Sequence, residues 1–154
     1  MDDRILFVDD EKSVLDGYRR LLHWEYDIQT ALGAGQALAE LSLFGPYAIV
    51  ISDMRMPGMD GAEFLSRVRQ LSPLTVRMLL TGYKDVDVAI LAVNEGRIFR
   101  YLTKPCKKSD LVQAITLGLA QYHENLADKE TIKRAKEIER EAAMADYQPL
   151  SHKP

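Results

Sequence analysis

The sequence predicts an α/β domain built on a parallel sheet, and three observations carry that prediction. Short apolar runs alternate with amphipathic stretches five times between Arg4 and Tyr122. Gly and Pro punctuate the joints, as at Gly45-Pro46 and Ser72-Pro73. Aspartate, threonine or lysine stands at or just beyond the end of all but one of the apolar runs. Strands that alternate with helices of about 10–15 residues join by right-handed crossovers into a parallel sheet covered on both faces.

Arg4 to Val8 (RILFV) is short, apolar and stops at Asp9-Asp10, the mark of a buried strand running into a loop. From Ser13, the residues Val14, Leu15, Tyr18, Leu21 and Leu22 recur at helical spacing, with Arg19 and Arg20 on the other face, and give the first helix. Tyr26 to Ala31 is the second strand, and Gly35 to Phe44 the second helix, closed by Gly45-Pro46. Ala48 to Ser52 (AIVIS) is the third strand. Met54 to Gly61, with Pro57 and Gly58, is a loop, after which Phe64, Leu65, Val68 and Leu71 mark the third helix. Val76 to Leu80 is the fourth strand, Val86 to Val93 a helix ending near Gly96, Ile98 to Leu102 the fifth strand and Leu111 to Tyr122 the fifth helix.

Past Tyr122 the texture changes. Glu124 to Glu141 is dense in charge, with Leu126, Ile132 and Ile138 as its large apolar residues, so such a helix buries little. The thin stripe reads as a solvated helix continuing the fifth one, with a short dimerising or signalling coiled coil as the alternative. The expected layout is a folded domain at 1–122, a charged helical extension or linker at 123–147 and a frayed tail at 148–154.

Composition narrows the class. The chain has 154 residues, of which 47% are hydrophobic and 28% charged, a mixture that supports one compact core and an appendage but not two full modules. Twenty Lys and Arg face 23 Asp and Glu, a net charge of −3 that leaves no basic excess for a nucleic-acid backbone. Cys106 is the single cysteine, so an intramolecular disulfide and a Cys-rich zinc site are excluded, and a reducing compartment fits. The N-terminal apolar stretch is too short and too acidic for a signal peptide or membrane span, and the expected location is cytoplasmic.

The chemistry gathers at strand ends. A parallel sheet brings Asp9, Asp10 and Asp53 to one edge, where three carboxylates call for a cation, and ligation by a few oxygens without His or Cys suits Mg²⁺. Ligands bind beyond the carboxyl ends of strands in such sheets, and Thr81 and Lys104 add a hydroxyl and an ammonium there. Each residue alone has a plainer reading, since Asp9, Asp10 and Thr81 suit helix caps and Asp53 an Asx turn. Their coincidence at one edge favours a site.

The segments Val8-Asp9-Asp10-Glu11, Ser52-Asp53-Met54-Arg55-Met56-Pro57-Gly58-Met59-Asp60-Gly61, Leu80-Thr81-Gly82 and Leu102-Thr103-Lys104-Pro105 together resemble the receiver domain of two-component response regulators. The resemblance spans about residues 3 to 122. It implies a (βα)5 flavodoxin-like, doubly wound sheet of strand order 2-1-3-4-5, followed here by the C-terminal helical extension. It also implies that Asp53 accepts a phosphoryl group from a sensor histidine kinase or phosphotransfer protein. Asp10, Asp53 and the Arg55 carbonyl would hold Mg²⁺, with Asp9 binding it directly or through water. Asp53, Thr81 and Lys104 would form the catalytic set, and Thr81 and Tyr101 the switch, with plain packing as the other reading of Tyr101. Lys104-Pro105 would be a cis peptide. Such a protein is no enzyme in the ordinary sense, but a phosphoacceptor that catalyses its own phosphotransfer and autodephosphorylation.

Arg55 and Tyr83 each lie two residues beyond a site residue, where the resemblance suggests they shield the phosphoryl group from water. Cys106 reads as a small buried hydrophobe, because no resolving cysteine exists. His23, His123 and His152 show no ligand spacing, and Trp24 reads as packing.

Too few residues follow Tyr122 for a winged-helix DNA reader or a nucleotide hydrolase, since a domain needs more than about 50. The chain is expected to dock on a partner, or to form a homodimer, through helix 4, strand 5, helix 5 or the tail, or else to be the receiver of a longer protein with an attached output domain. Direct contact with nucleic acid or membrane is not expected. Arg77-Met78-Leu79-Leu80-Thr81-Gly82-Tyr83 and Asn94-Glu95-Gly96-Arg97-Ile98-Phe99-Arg100-Tyr101-Leu102 resemble receivers joined to HD-type cyclic-di-GMP phosphodiesterases. The competing reading is a degenerate receiver that binds partners without phosphorylation, against which intact Asp53, Thr81 and Lys104 argue. A flavodoxin-like cofactor binder would need a phosphate-cradling loop where Asp9-Asp10-Glu11 stands.

Overall fold

The computed structural model describes residues 3–149. Five strands and five helices alternate: β1 (Ile5–Asp9), α1 (Lys12–Leu22), β2 (Ile28–Leu32), α2 (Ala34–Phe44), β3 (Ile49–Asp53), α3 (Gly61–Leu71), β4 (Val76–Thr81), α4 (Val86–Asn94), β5 (Arg100–Thr103) and α5 (Lys108–Asp146), with a 3-10 turn at Tyr83–Asp85 before α4. All strand pairings are parallel and the order is β2-β1-β3-β4-β5, the doubly wound, flavodoxin-like arrangement.

Alternate strand residues feed two faces. Leu6, Val8, Val50 and Leu79 point into a buried cluster with Ala37 and Leu41 of α2, Phe64, Leu65 and Val68 of α3, and Ala89 and Ala92 of α4. On the other face Phe7 stacks on Tyr18 of α1, with ring centroids 4.6 Å apart. There α5 approaches the sheet at Gly118, where an added Cβ would lie 2.6 Å from Met78 Cε and 2.9 Å from Ile49 Cδ1. Each fully buried Leu, Ile or Phe contributes about 1.5–3 kcal/mol, so β1 and β3, apolar and buried on both faces, anchor the sheet.

The observed strand boundaries shift toward the site. β1, β3 and β4 each run one residue past the apolar segment, because the ladder carries on through Asp9 opposite Leu32, Asp53 opposite Leu80 and Thr81 opposite Thr103. Conversely, β2 starts only at Ile28, since the Tyr26 N–H returns to the Leu22 carbonyl at 3.0 Å. β5 starts only at Arg100, because Arg97 and Ile98 donate back to the Ala92 carbonyl and finish the α4 exit.

α5 is longer than the Leu111 to Tyr122 helix expected from the apolar pattern and takes in most of the charged segment. The chain divides into two compact units, one up to Tyr122 and one from His123. In the second unit every described side chain from Ala127 onward is exposed. Its larger apolar residues, Leu126, Ile132, Ile138 and Met144, recur every sixth position, a step that turns roughly a third of the helix circumference each time and builds no single seam. Of the 148–154 tail, 148 and 149 lie outside any helix or strand, and the rest, with His152, lies outside the described residues. No helix among the described residues is long and apolar enough to cross a membrane.

Trp24 is a correction. It is 87% exposed in the turn after α1, with its ring tilted against that of His23, because the chain turns there to bring Tyr26 back toward Leu22. Cys106 is half-buried rather than fully buried, lying in the loop between β5 and α5.

Candidate functional site

The carboxyl ends of β1 and β3 deliver Asp9, Asp10 and Asp53 to one place, where one oxygen from each lies within 4.8 Å of the others. Asp9 and Asp53 are buried and Asp10 is exposed. The Lys104 ammonium enters from beyond β5 and lies 2.5 Å from Asp53 Oδ1 and 3.6 Å from Asp9 Oδ2. Its backbone is fixed from the sheet, since the Lys104 N–H donates to the Thr81 carbonyl at 2.9 Å. The Lys104-Pro105 peptide is cis, as is Gly45-Pro46.

Close packing holds Asp53 in place. Met54 N–H donates to the Leu80 carbonyl, and Gly61 N–H to the Met54 carbonyl at 2.8 Å. A Cβ at Gly61 would meet the Asp53 carbonyl oxygen at 2.2 Å, so only glycine lets the start of α3 sit this near. Asp60 caps that helix by accepting the Glu63 N–H at 2.8 Å.

Asp9 Oδ1 accepts the Glu11 N–H at 2.9 Å, an Asx-type turn rather than a cap on α1. Its other oxygen is buried and accepts no hydrogen bond among the described residues. Burial, with the charge of Asp53, raises the Asp9 pKa above the ordinary carboxylate value, although the Glu11 hydrogen bond and Lys104 oppose the shift. For Lys104, burial alone would lower the pKa, but the hydrogen bond to Asp53 and the charges of Asp53 and Asp9 outweigh it and leave it raised. Two buried carboxylates thus share one ammonium, with a third, Asp10, beside them, and a buried carboxylate oxygen lacks a donor. Oxygen donors alone, some buried and some solvated, fit a hard divalent cation of the Mg²⁺ kind.

Asp9, Asp10, Asp53, Arg55, Tyr83 and Lys104 all line one open cleft of about 550 Å³. Within it Arg55 is not free. Its guanidinium forms a two-bond pair with Asp85, Nε to Oδ2 at 2.7 Å and Nη2 to Oδ1 at 3.0 Å, tying the loop after β3 to the turn before α4. That pairing holds the Asp85 carboxyl below its ordinary pKa. Asp85 was not singled out by the sequence, and nothing local could have found it, since the two residues stand 30 positions apart. Tyr83 is 93% exposed at the rim.

Two expected residues lie outside the cleft lining. Thr81 is fully buried, and its hydroxyl donates to the Gly82 carbonyl at 3.2 Å. Tyr101 is half-buried against the apolar cluster and lines a separate depression with Thr103, Cys106 and Gln113. Burial raises the Cys106 thiol pKa, as expected of a small hydrophobe rather than a reactive thiolate.

A family model described as the response regulator receiver domain matches residues 5–116. Among curated proteins, the chain is 39% identical over 111 residues to the hydrogenase transcriptional regulatory protein HoxA of Cupriavidus necator, covering 72% of this chain and 23% of that protein. It is 32% identical over 122 residues to the transcriptional regulatory protein YesN of Bacillus subtilis, covering 77% of this chain and 33% of that one. The chain therefore spans a quarter to a third of the length of these relatives. A solved structure described as an adenylate cyclase from Rhodopirellula baltica superposes with a TM-score of 0.84 at 40% identity, covering 86% of this chain and 98% of that one. The signal receiver domain of an HD domain-containing protein from Pseudomonas fluorescens gives 0.73 at 37% identity, with 80% and 99% covered.

Proposed function

This chain belongs to the response regulator receiver domain family of two-component systems, and we propose that within it Asp53 is the residue that accepts the phosphoryl group. The observation that carries this reading is the Lys104 ammonium 2.5 Å from Asp53 Oδ1, in a cleft that gathers two further carboxylates.

In the proposed reaction an Asp53 carboxylate oxygen attacks the phosphorus of a phosphohistidine on a sensor kinase or phosphotransfer protein. An O–P bond forms, the P–N bond breaks, and the histidine leaves with the bonding pair. Asp9, Asp10, Asp53 and the Arg55 carbonyl would hold Mg²⁺, which when bound neutralises charge on the phosphoryl oxygens. Lys104 supplies a second positive charge from its position against Asp53, and the packing around Gly61 keeps Asp53 from drifting. Both act by position and electrostatics and are in place before the donor arrives.

Transfer places a dianion where Lys104 now pairs with a carboxylate. The Thr81 hydroxyl, now held by the Gly82 carbonyl, would turn to the phosphoryl group, draw the segment after β4 inward, and let Tyr101 swing toward the space it leaves. The Arg55–Asp85 pair lies across that same segment, so it would brake the movement and, with Tyr83, tune how long the aspartyl phosphate survives. We assign residues 1–122 to the receiver and 123–147 to a charged extension. We expect an output domain attached in a longer parent or a separate partner to read the switched face, and the HD-domain neighbour supports that class of output.

The test is ¹⁹F NMR with beryllofluoride, a phosphoryl mimic, together with light-scattering mass. Trp24 fluorescence would be a poor reporter, because Trp24 lies beyond the far end of α1, about 16 Å along that helix from the Asp9–Asp10 loop. A bound fluoride signal that requires Mg²⁺ and disappears in Asp53→Asn is the expected result. Absence of any bound signal would overturn the assignment and bring the degenerate, phosphorylation-independent reading forward.

A further inference from the structure

At the opposite, N-terminal edge of the sheet, three arginines from three elements converge on one cavity. Arg77 leaves the second position of β4 on the same face as Leu79, Arg69 comes from the last turn of α3, and Arg97 from the segment between α4 and β5. With Ser66 they line a cavity of about 50 Å³ whose remaining walls are apolar and include Ala92 and Ile98. No carboxylate lines it, although acids outnumber bases in the chain. Glu95 takes up part of Arg97, through one contact of 2.8 Å to Arg97 Nε.

Arg77 is the informative member. Its Nη1 donates to the Arg97 carbonyl, while its Nε is buried and has no hydrogen-bond partner among the described residues. Burial, with the like charge of Arg69 nearby, pulls its pKa down to about 10, so the guanidinium is held where its charge is poorly compensated. Leaving a buried N–H without an acceptor is unfavourable, and gathering three cations beside the single carboxylate of Glu95 adds to the strain. A single bound anion relieves both.

The geometry points to an oxyanion site here, in which Arg77, Arg69 and Arg97, helped by the Ser66 hydroxyl, hold a small tetrahedral anion of the phosphate class. The guanidinium fork suits such an anion by geometry and charge. The volume agrees, since a water needs about 10–15 Å³ on this measure and the cavity offers a few times that, enough for a compact ion but not for a nucleotide. An anion bound there would join the end of α3, β4 and the α4–β5 segment. The site is independent of the Asp53 cleft, with which it shares no lining residue.

The test is a titration of the full chain with inorganic phosphate at fixed ionic strength, followed by two-dimensional NMR of the arginine Nε–H signals and the backbone amides. Saturable shifts at Arg77 Nε–H, Ala92 and Ile98 are expected, with affinity weakened roughly tenfold in each of Arg69→Gln and Arg97→Gln, both exposed positions where folding is safe. Arg77→Met, which keeps the aliphatic stem, should abolish saturation while its amide spectrum remains dispersed. A parallel arm with phosphoserine separates the sources: tighter binding identifies a phosphorylated side chain as the natural ligand, and equal or weaker binding the free ion. Shifts that do not saturate, that chloride reproduces, that appear around Lys104 instead, or that persist unchanged in the Arg69→Gln and Arg97→Gln variants would overturn the proposal.

Discussion

Replacing Lys104 by Met keeps the aliphatic stem and removes the ammonium that lies 2.5 Å from Asp53 and 3.6 Å from Asp9. At an effective dielectric of about 20, the gross attractions are about 7 and about 5 kcal/mol. Most of this is offset by dehydrating the charges, and Lys104 keeps 35% of its side chain in water while both acids are almost covered. Breaking a fully buried pair costs about 3–5 kcal/mol and breaking an exposed one about 0–1, so this intermediate site should lose about 1–3. For a domain of this size that lowers Tm by roughly 3–10 °C. The assay is urea unfolding in EDTA, repeated with Mg²⁺. The cation should stabilise Lys104→Met more than the parent, because the variant holds one more uncompensated negative charge. A variant as stable as the parent in EDTA, or an equal Mg²⁺ gain in both, would refute the electrostatic account.

Gly61→Ala places a Cβ 2.2 Å from the Asp53 carbonyl oxygen, so it should destabilise by about 1–3 kcal/mol in urea unfolding and also slow phosphorylation, because the backbone that must give way carries Asp53. Asp9→Asn should raise the unfolding midpoint at neutral pH in metal-free buffer. The folded-state pKa of Asp9 is raised, so folding takes up a proton and stability falls as pH rises from about 3.8 through the higher folded value; the Asn variant should show a flatter curve there, and an unchanged curve would remove the reasoning. Arg55→Ala and Asp85→Asn should lower Tm only slightly, since Arg55 is mostly in water although Asp85 is largely covered, yet alter aspartyl-phosphate decay measured by loss of label; unchanged decay in both, and in Tyr83→Ala, would eliminate a role in lifetime. Alkylation of Cys106 should be slower than that of free cysteine at pH 8 and keep rising past pH 9, as the raised thiol pKa requires, and a plateau below pH 9 would contradict it.

The fold and the acidic edge were legible because both are written in local pattern. Period and punctuation mark each strand and helix, and parallel topology alone brings Asp9, Asp10 and Asp53 together. The boundary shifts came from pairing that no single segment contains: Asp9, Asp53 and Thr81 join their strands through neighbours on the sheet. Pairing across distant loops was hidden for the same reason, as in Arg55 with Asp85. Trp24 was misread because residue type says what a side chain prefers, while the turn after α1 decides where it goes. Arg77 shows the converse, a charged residue drawn partly inward because its position on β4 shares the face of Leu79. The charged stretch of α5 read correctly as a poorly burying helix, since its apolar residues never align.

The central claim is that Asp53 is the phosphoacceptor, and peptide mass spectrometry after incubation with acetyl phosphate and Mg²⁺ tests it most directly. The account predicts one phosphoryl group on the peptide containing Asp53, labile to hydroxylamine as an acyl phosphate must be, absent in EDTA and absent in Asp53→Asn. Phosphoryl transfer to another residue of the parent chain, or undiminished labelling of Asp53→Asn, would contradict it.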